Sequence, residues 1–156
     1  MNALLQKAAD AITRKAGWPP IQADGDGRCR FSLDGGLDFE MFTPDGRIGF
    51  FVSELGAAPD LSSAKAAEKL ERIAALSAGV LKKRLSVLSI SDSDKFELSR
   101  SFPLSESSEQ DVLTHAKEFL NDLAWWKKQM DSEKATTVGS SAGSPFSFNM
   151  GSWFPG

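Results

Sequence analysis

A single histidine, His115, and a single cysteine, Cys29, limit the chemistry that this chain can perform. A Cys–His or Ser–His catalytic site would have to use His115. That residue lies in a helical pattern, which predicts a solvated position on a helix face. A zinc site needs several Cys and His ligands close together, and one of each does not supply them. We therefore predict no catalytic residue, no metal site and no cofactor.

The glycine-rich acidic segment Asp24-Gly25-Asp26-Gly27 resembles the start of a calcium-binding loop. An EF-hand loop also needs an acidic or amide ligand at its fifth position, Gly at its sixth and Glu at its twelfth. Arg28, Cys29 and Gly35 occupy those positions here. The Gly-x-Gly spacing precedes a strand pattern, whereas a dinucleotide-binding turn follows a strand and opens a helix. The segment is thus predicted to be a turn before a strand.

The charged residues favour solvated surfaces over sites. Asp38 and Glu40 share one strand face, and Arg28 and Arg30 on the preceding strand can pair with them across the sheet. The only basic run is 82–84, Lys-Lys-Arg, and the formal net charge is −3. These observations argue against a nucleic-acid-binding surface.

Periodicity and turn signals predict eight elements that must carry these side chains. They are a helix over 2–16, strands near 29–33, 37–41 and 47–55, a helix over 62–77, strands over 85–90 and 95–102, and a helix that opens with a capping box at Ser107 and Gln110. Gly17 is predicted to cap the first helix. The segment 80–84 is left open between a helix tail and a strand start.

The third predicted strand is apolar on both sides. Phe51 and Leu55 alternate with Ile48, Phe50 and Val52, and Gly49 and Ser53 lie beside the first pair. We expect Phe51 and Leu55 to point away from the core, because side chains alternate between the two faces of a strand.

Length and composition indicate one globular domain with an additional tail. The chain has 156 residues, of which 41% are hydrophobic and 25% charged, near the average for soluble domains. No run approaches the ~18 apolar residues of a membrane span, and residues 2–5 do not resemble a secretory signal. We predict a domain over 1–131, a flexible Ser/Gly-rich tail over 132–156, and a cytoplasmic location. The tail carries an aromatic cluster: Phe146, Phe148, Trp153 and Phe154.

The order helix, three strands, helix, two strands, helix resembles the class I type III secretion chaperones of the Tir-chaperone family. Four segments carry the resemblance: 31–40 (FSLDGGLDFE), 48–56 (IGFFVSELG), 95–104 (KFELSRSFPL) and the closing helix with Trp125-Trp126. Length and acidity also resemble the HpaB-like broad-range type. The resemblance implies an α+β fold whose antiparallel five-stranded sheet packs on helices.

The resemblance also implies a function without catalysis. Members bind the extended N-terminal segment of secreted effectors and keep it export-competent, so the implied partners are effectors, a second copy of the chain and the secretion ATPase. Neither nucleic acid nor membrane insertion is expected. A small YbjN-like regulatory or stress domain, similar in architecture but without an export client, is the alternative.

Surplus apolar residues suggest two interaction surfaces. We predict an effector-binding face from Leu4, Leu5, Phe42, Phe51 and Leu55, because monomers rarely leave such patches without use. We predict a homodimer interface on the second helix and fourth strand, where both strand faces are apolar. Its residues are Leu70, Ile73, Leu76, Leu85, Val87, Leu88 and Ile90. The aromatic tail is either a tethered ligand for an apolar groove or a disordered segment without a partner.

Overall fold

The computed structural model describes residues 2–60 and 62–138, with the side chains of 133–138 excepted. It contains eight elements in the predicted order. They are α1 (Ala3–Ala16), β1 (Cys29–Phe31), β2 (Phe39–Phe42), β3 (Gly49–Ala57), α2 (Ala64–Val80), β4 (Val87–Ile90), β5 (Lys95–Phe102) and α3 (Glu109–Val138). The predicted α+β fold class is confirmed.

The five strands form one antiparallel sheet in the order β1-β2-β3-β5-β4, so β1 and β4 are its edges. The register places Met41 opposite Phe51, and Phe51 opposite Arg100. Residues directly opposite each other on antiparallel strands share a face. The inner face therefore carries the buried side chains Cys29, Phe31, Phe39, Met41, Phe51, Ser53, Phe96, Leu98, Arg100 and Phe102. The outer face carries Arg28, Arg30, Glu40, Phe42, Phe50, Val52, Val87, Glu97 and Ser99.

Helices α1 and α3 cover the inner face. The side chain of Asn2 caps α1 by accepting hydrogen bonds from the backbone N–H groups of Leu4 and Leu5. Gly17 ends α1 in the left-handed conformation at φ 74°, as predicted, because glycine adopts positive φ without steric cost. The apolar stripe of α3 is buried: Val112, Ala116, Phe119, Leu120, Leu123 and Trp126.

Phe51 lies at the centre of an aromatic cluster in the core. Its ring stacks on Phe102 at 4.7 Å and on Phe119 at 5.6 Å between centroids, and it meets Phe39 edge-on at 6.0 Å. This cluster joins β2, β3, β5 and α3 through one side chain.

The expectation that Phe51 and Leu55 point away from the core is wrong. They are 0% and 8% exposed, whereas Phe50 and Val52 on the other side of β3 are half-buried. The small neighbours explain the error: a Cβ atom at Gly49 would lie 2.4 Å from Cζ of Phe102, so the ring of Phe102 fills that space. Ser53 is satisfied in the core because its hydroxyl donates to the carbonyl oxygen of Asp38 at 2.5 Å.

Three boundaries differ from the prediction. α2 continues past Gly79 to Val80, and a turn follows over 81–83. The segment 80–84 is therefore a helix end and a turn, and not the start of a strand. The N-cap of α3 is Ser108, one residue after Ser107, because the hydroxyl of Ser107 donates to the carbonyl oxygen of Pro103. α3 also continues to Val138, so residues 132–138 are helical and not a flexible spacer.

Candidate functional site

The outer face of the sheet carries an aromatic ladder next to charge. The guanidinium of Arg28 lies 4.2 Å from the ring centroid of Phe42, and Phe42 stacks on Phe50 at 5.5 Å. Val52 continues the apolar strip on β3, and Val87 lies in the same cross-strand row through Ser99. All of these side chains stay at least partly exposed to solvent.

Ion pairs border this strip on the β1–β2 side. Glu40 accepts from Arg28 at 2.7 Å and lies 3.2 Å from Nη1 of Arg30, whose Nε also donates to Asp24 at 2.9 Å. Arg30 and Glu40 are opposite each other in the β1–β2 register. The predicted cross-strand pairing therefore exists for Glu40.

Carboxylates border the strip at its other end. Glu54 and Glu97 face each other directly across β3 and β5, and Lys95 Nζ donates to Glu54 at 3.1 Å. Burial, followed by the nearby charge of Glu54, raises the pKa of Glu97. Like charges in this position repel, so this part of the outer face favours a partner with positive charge.

The residues predicted for effector binding are not brought together. Leu5 is 2% exposed and lies in the core with Phe51 and Leu55, so the surface position assumed for these three is wrong. Leu4 is exposed and lines a small groove between α1 and the start of α3. Phe42 alone of the five lies on the outer face.

The residues predicted for self-association are mostly at the surface. Leu85, Val87 and Ile90 are 64%, 50% and 47% exposed. Leu70, Leu76 and Leu88 are half-buried against the core. Ile73 is buried, which removes it from any contact surface and makes it the residue that anchors α2.

A buried carboxylate fixes the segment that leads into β4. Asp122 on α3 accepts from the hydroxyl of Ser86 at 2.6 Å, from its backbone N–H at 3.3 Å and from Nη1 of Arg84 at 3.0 Å. Arg84 also lies over the Trp125 ring, 4.7 Å from its centroid. Trp126 is buried and Trp125 half-buried.

The single histidine and cysteine occupy structural positions. His115 Nδ1 lies 3.2 Å from Nη2 of Arg100, and its ring stacks on Phe102 at 5.7 Å. Burial and the charge of Arg100 lower the pKa of His115. Burial raises the pKa of the Cys29 thiol to about 11, which keeps it protonated and unreactive at neutral pH.

Phe50 and Val52 are the surface residues that the sequence analysis missed. The signal was the alternation of β3 itself, because one of its two apolar sets has to face outward. Among residues 2–60 and 62–138, no group of three or more His, Cys, Asp or Glu side chains is placed to hold a metal ion. None of the helices in that part of the chain is long and apolar enough to cross a membrane.

Solved structures with the same architecture include several chaperone complexes. A chain in the structure of the HopA1–SchA chaperone–effector complex superposes with a TM-score of 0.61 at 15% identity, covering 81% of this chain and 95% of that one. A chain in the ExsC–ExsE complex gives 0.63 at 8% identity, with coverage of 82% and 94%. A chain in the complex of the Yersinia pestis type III secretion chaperone SycH with a YscM2 fragment gives 0.53 at 9% identity, with coverage of 77% and 97%.

The fold is that of the type III secretion chaperones. Residues 7–127 match the model of the Tir chaperone protein (CesT) family, and the chain belongs to that family. It is a type III secretion chaperone, and the YbjN-like alternative is not favoured. A sequence search of curated proteins gave no match.

Proposed function

We propose that this chaperone holds the N-terminal segment of a secreted effector against the outer face of its sheet. The observation that carries the proposal is the partly exposed strip of Phe42, Phe50 and Val52 between charged borders. Contiguous apolar surface of this kind marks interaction sites on soluble proteins.

The strip and the sheet edges together suit an extended client. β1 and β4 each have one unpaired edge within the sheet. A client strand could add main-chain hydrogen bonds at β1, the edge beside β2 and Phe42, while its apolar side chains pack on the outer face. The Glu54–Glu97 pair favours a client with Lys or Arg at that end.

Phe50→Asp tests this face. We expect it to abolish co-purification of a co-expressed effector N-terminal segment, because a carboxylate placed in the strip cannot be buried without cost. Thr114→Asp, at an exposed position on α3, which covers the inner face of the sheet, is the matched control and should retain capture. Unchanged capture by a folded Phe50→Asp protein would refute the outer face as the binding surface.

We also propose a homodimer that uses the α2–β4 side. Leu81, Leu85, Val87 and Ile90 are exposed there, and burying one such side chain contributes about 1.5–3 kcal/mol. Sedimentation should show a dimer at micromolar concentration, and Leu85→Asp with Val87→Asp should yield a folded monomer. Leu4→Asp, at an exposed apolar residue on α1, is the control. A monomeric parent protein would contradict the proposal.

Chaperoning needs only reversible binding, so we propose no enzymatic activity. We place the protein in the cytoplasm, where effectors wait for export, with the secretion ATPase as the receiver of the loaded client. The HpaB-like broad-range type stays a prediction, which capture of several unrelated effectors would support.

A further inference from the structure

A cleft of about 230 Å³ opens between α3 and the segment that leads into β4. Its lining includes Arg100 from β5, Glu118 and Asn121 from α3, and Lys83 and Leu85 from the segment before β4. Because Arg100 belongs to the inner face, this cleft is separate from the outer strip.

Arg100 is a buried cation with an unused donor. It is 6% exposed. Its Nη2 is placed to bond the carboxylate of Glu118 and the ring of His115. Its Nε is buried, and no atom in the described part of the chain accepts a hydrogen bond from it. A buried donor of a charged group is costly to leave unpaired.

With Arg100 counted, the cleft holds three cations against two carboxylates, an excess of one positive charge that favours an anion over a cation. Arg84 and Lys83 add positive charge to that of Arg100, against the carboxylates of Glu118 and Asp122. Arg84 and Asp122 already neutralise each other at 3.0 Å. The carboxylate of Glu118 is half-exposed, with 49% of its side chain accessible, so it can move away from Arg100. A guanidinium binds a carboxylate through two parallel N–H donors. In Arg100 these donors would be Nη2 and the unpaired Nε.

From these contacts we propose that the cleft is a carboxylate-binding site, which takes an Asp or Glu side chain of a partner polypeptide. Glu118 is the competitor from the protein itself, and it occupies Arg100 until the incoming carboxylate displaces it. Lys83 contributes attraction at the mouth. The site is independent of the outer strip, and its failure leaves the proposed client face untouched.

The test follows the Nε–H resonance of Arg100 by NMR in the full-length protein. The probe is N-acetyl-glutamate methylamide, which presents an acidic side chain within a peptide unit. Its neutral isostere, N-acetyl-glutamine methylamide, is the matched control, and chloride keeps the ionic strength constant. We expect a saturable shift with the acid and none with the amide.

Variants separate binding from folding. Glu118→Gln removes the competing carboxylate and should tighten probe binding at least threefold, whereas Lys83→Gln, at an exposed position, should weaken it at least twofold. Both are read with the probe on folded protein, so they do not depend on whether Arg100→Gln folds. Equal responses to the acid and the amide, or no tightening in Glu118→Gln, would overturn the site. Saturation by free glutarate without saturation by the peptide probe would refute the proposal that the bound carboxylate belongs to a polypeptide.

Discussion

Two adjacent aromatic side chains of β3 lie on opposite faces of the sheet, one in the core and one at the surface. Phe51 contacts the rings of Phe39, Phe102 and Phe119 inside the core, whereas the adjacent Phe50 stacks on Phe42 at the outer face. Phe51→Ala should lower the free energy of unfolding by about 3–5 kcal/mol, and Phe50→Ala by about 1 kcal/mol. Chemical denaturation of both variants measures the difference. Equal losses would mean that the two faces of β3 are packed alike.

The histidine gives the stability a dependence on pH. Because burial and Arg100 lower the pKa of His115, the unfolded chain binds a proton at this residue at higher pH than the folded protein. This contribution to stability is therefore fully present above the ordinary histidine pKa of about 6.5. It is lost as the pH falls from there through the lower folded pKa.

We expect His115→Gln to flatten the fall in unfolding free energy between pH 7 and pH 5. Denaturation curves at several pH values measure this slope. The acidic partners Glu118 and Asp111 act in the opposite direction on this pKa but are outweighed. A slope that is unchanged in His115→Gln would assign the pH dependence to other groups.

Among the elements, α3 depends on an N-cap at Ser108, one residue after the predicted cap at Ser107. The hydroxyl of Ser108 accepts from the backbone N–H of Asp111, and the carboxylate of Asp111 accepts from the backbone N–H of Ser108. Ser108→Ala should cost about 1 kcal/mol. Ser107→Ala is the control and should cost less, since the hydroxyl of Ser107 donates to the carbonyl oxygen of Pro103 and does not cap α3. A larger loss of unfolding free energy in Ser107→Ala than in Ser108→Ala would show that Ser107 is the N-cap.

At the scale of the whole molecule, α3 reaches the turn between β1 and β2. Lys127 Nζ bonds the carbonyl oxygen of Gly36, and the eleven residues from there to Val138 extend about 16 Å further at the helical rise. Phe39 is at the end of β2 that follows Gly36, and Phe42 lies at the opposite end of the strand. The aromatic tail residues Phe146, Phe148, Trp153 and Phe154 lie outside the described residues.

This geometry bears on the tethered-ligand hypothesis. Because residues 132–138 are helical, seven residues of the predicted flexible tail do not provide the reach of a random coil. We therefore expect deletion of residues 139–156 to leave client affinity unchanged in a titration with the effector segment. Tighter binding after deletion would support the tail as a competitor for the client site, and weaker binding would make it part of that site.

Local patterns were sufficient to predict the elements of this protein. The 3.6-residue stripe of α3, the alternation of β5 and the cap at Gly17 each depend on neighbours within a few residues. Such signals are written in the sequence because a helix or strand face repeats with a fixed local period. The order of the elements, together with four short segments that resemble the family, was also enough to indicate the chaperone family.

Only the tertiary structure decided which surfaces are available. Both sides of β3 are apolar, so hydrophobicity could not choose between Phe50 and Phe51. The choice came from the register with β2 and β5 and from the ring of Phe102 above Gly49, more than fifty residues away in sequence. The Arg84–Asp122 pair and the buried Arg100 likewise join distant segments. Contacts of this kind depend on which elements pack together, and no local period records that.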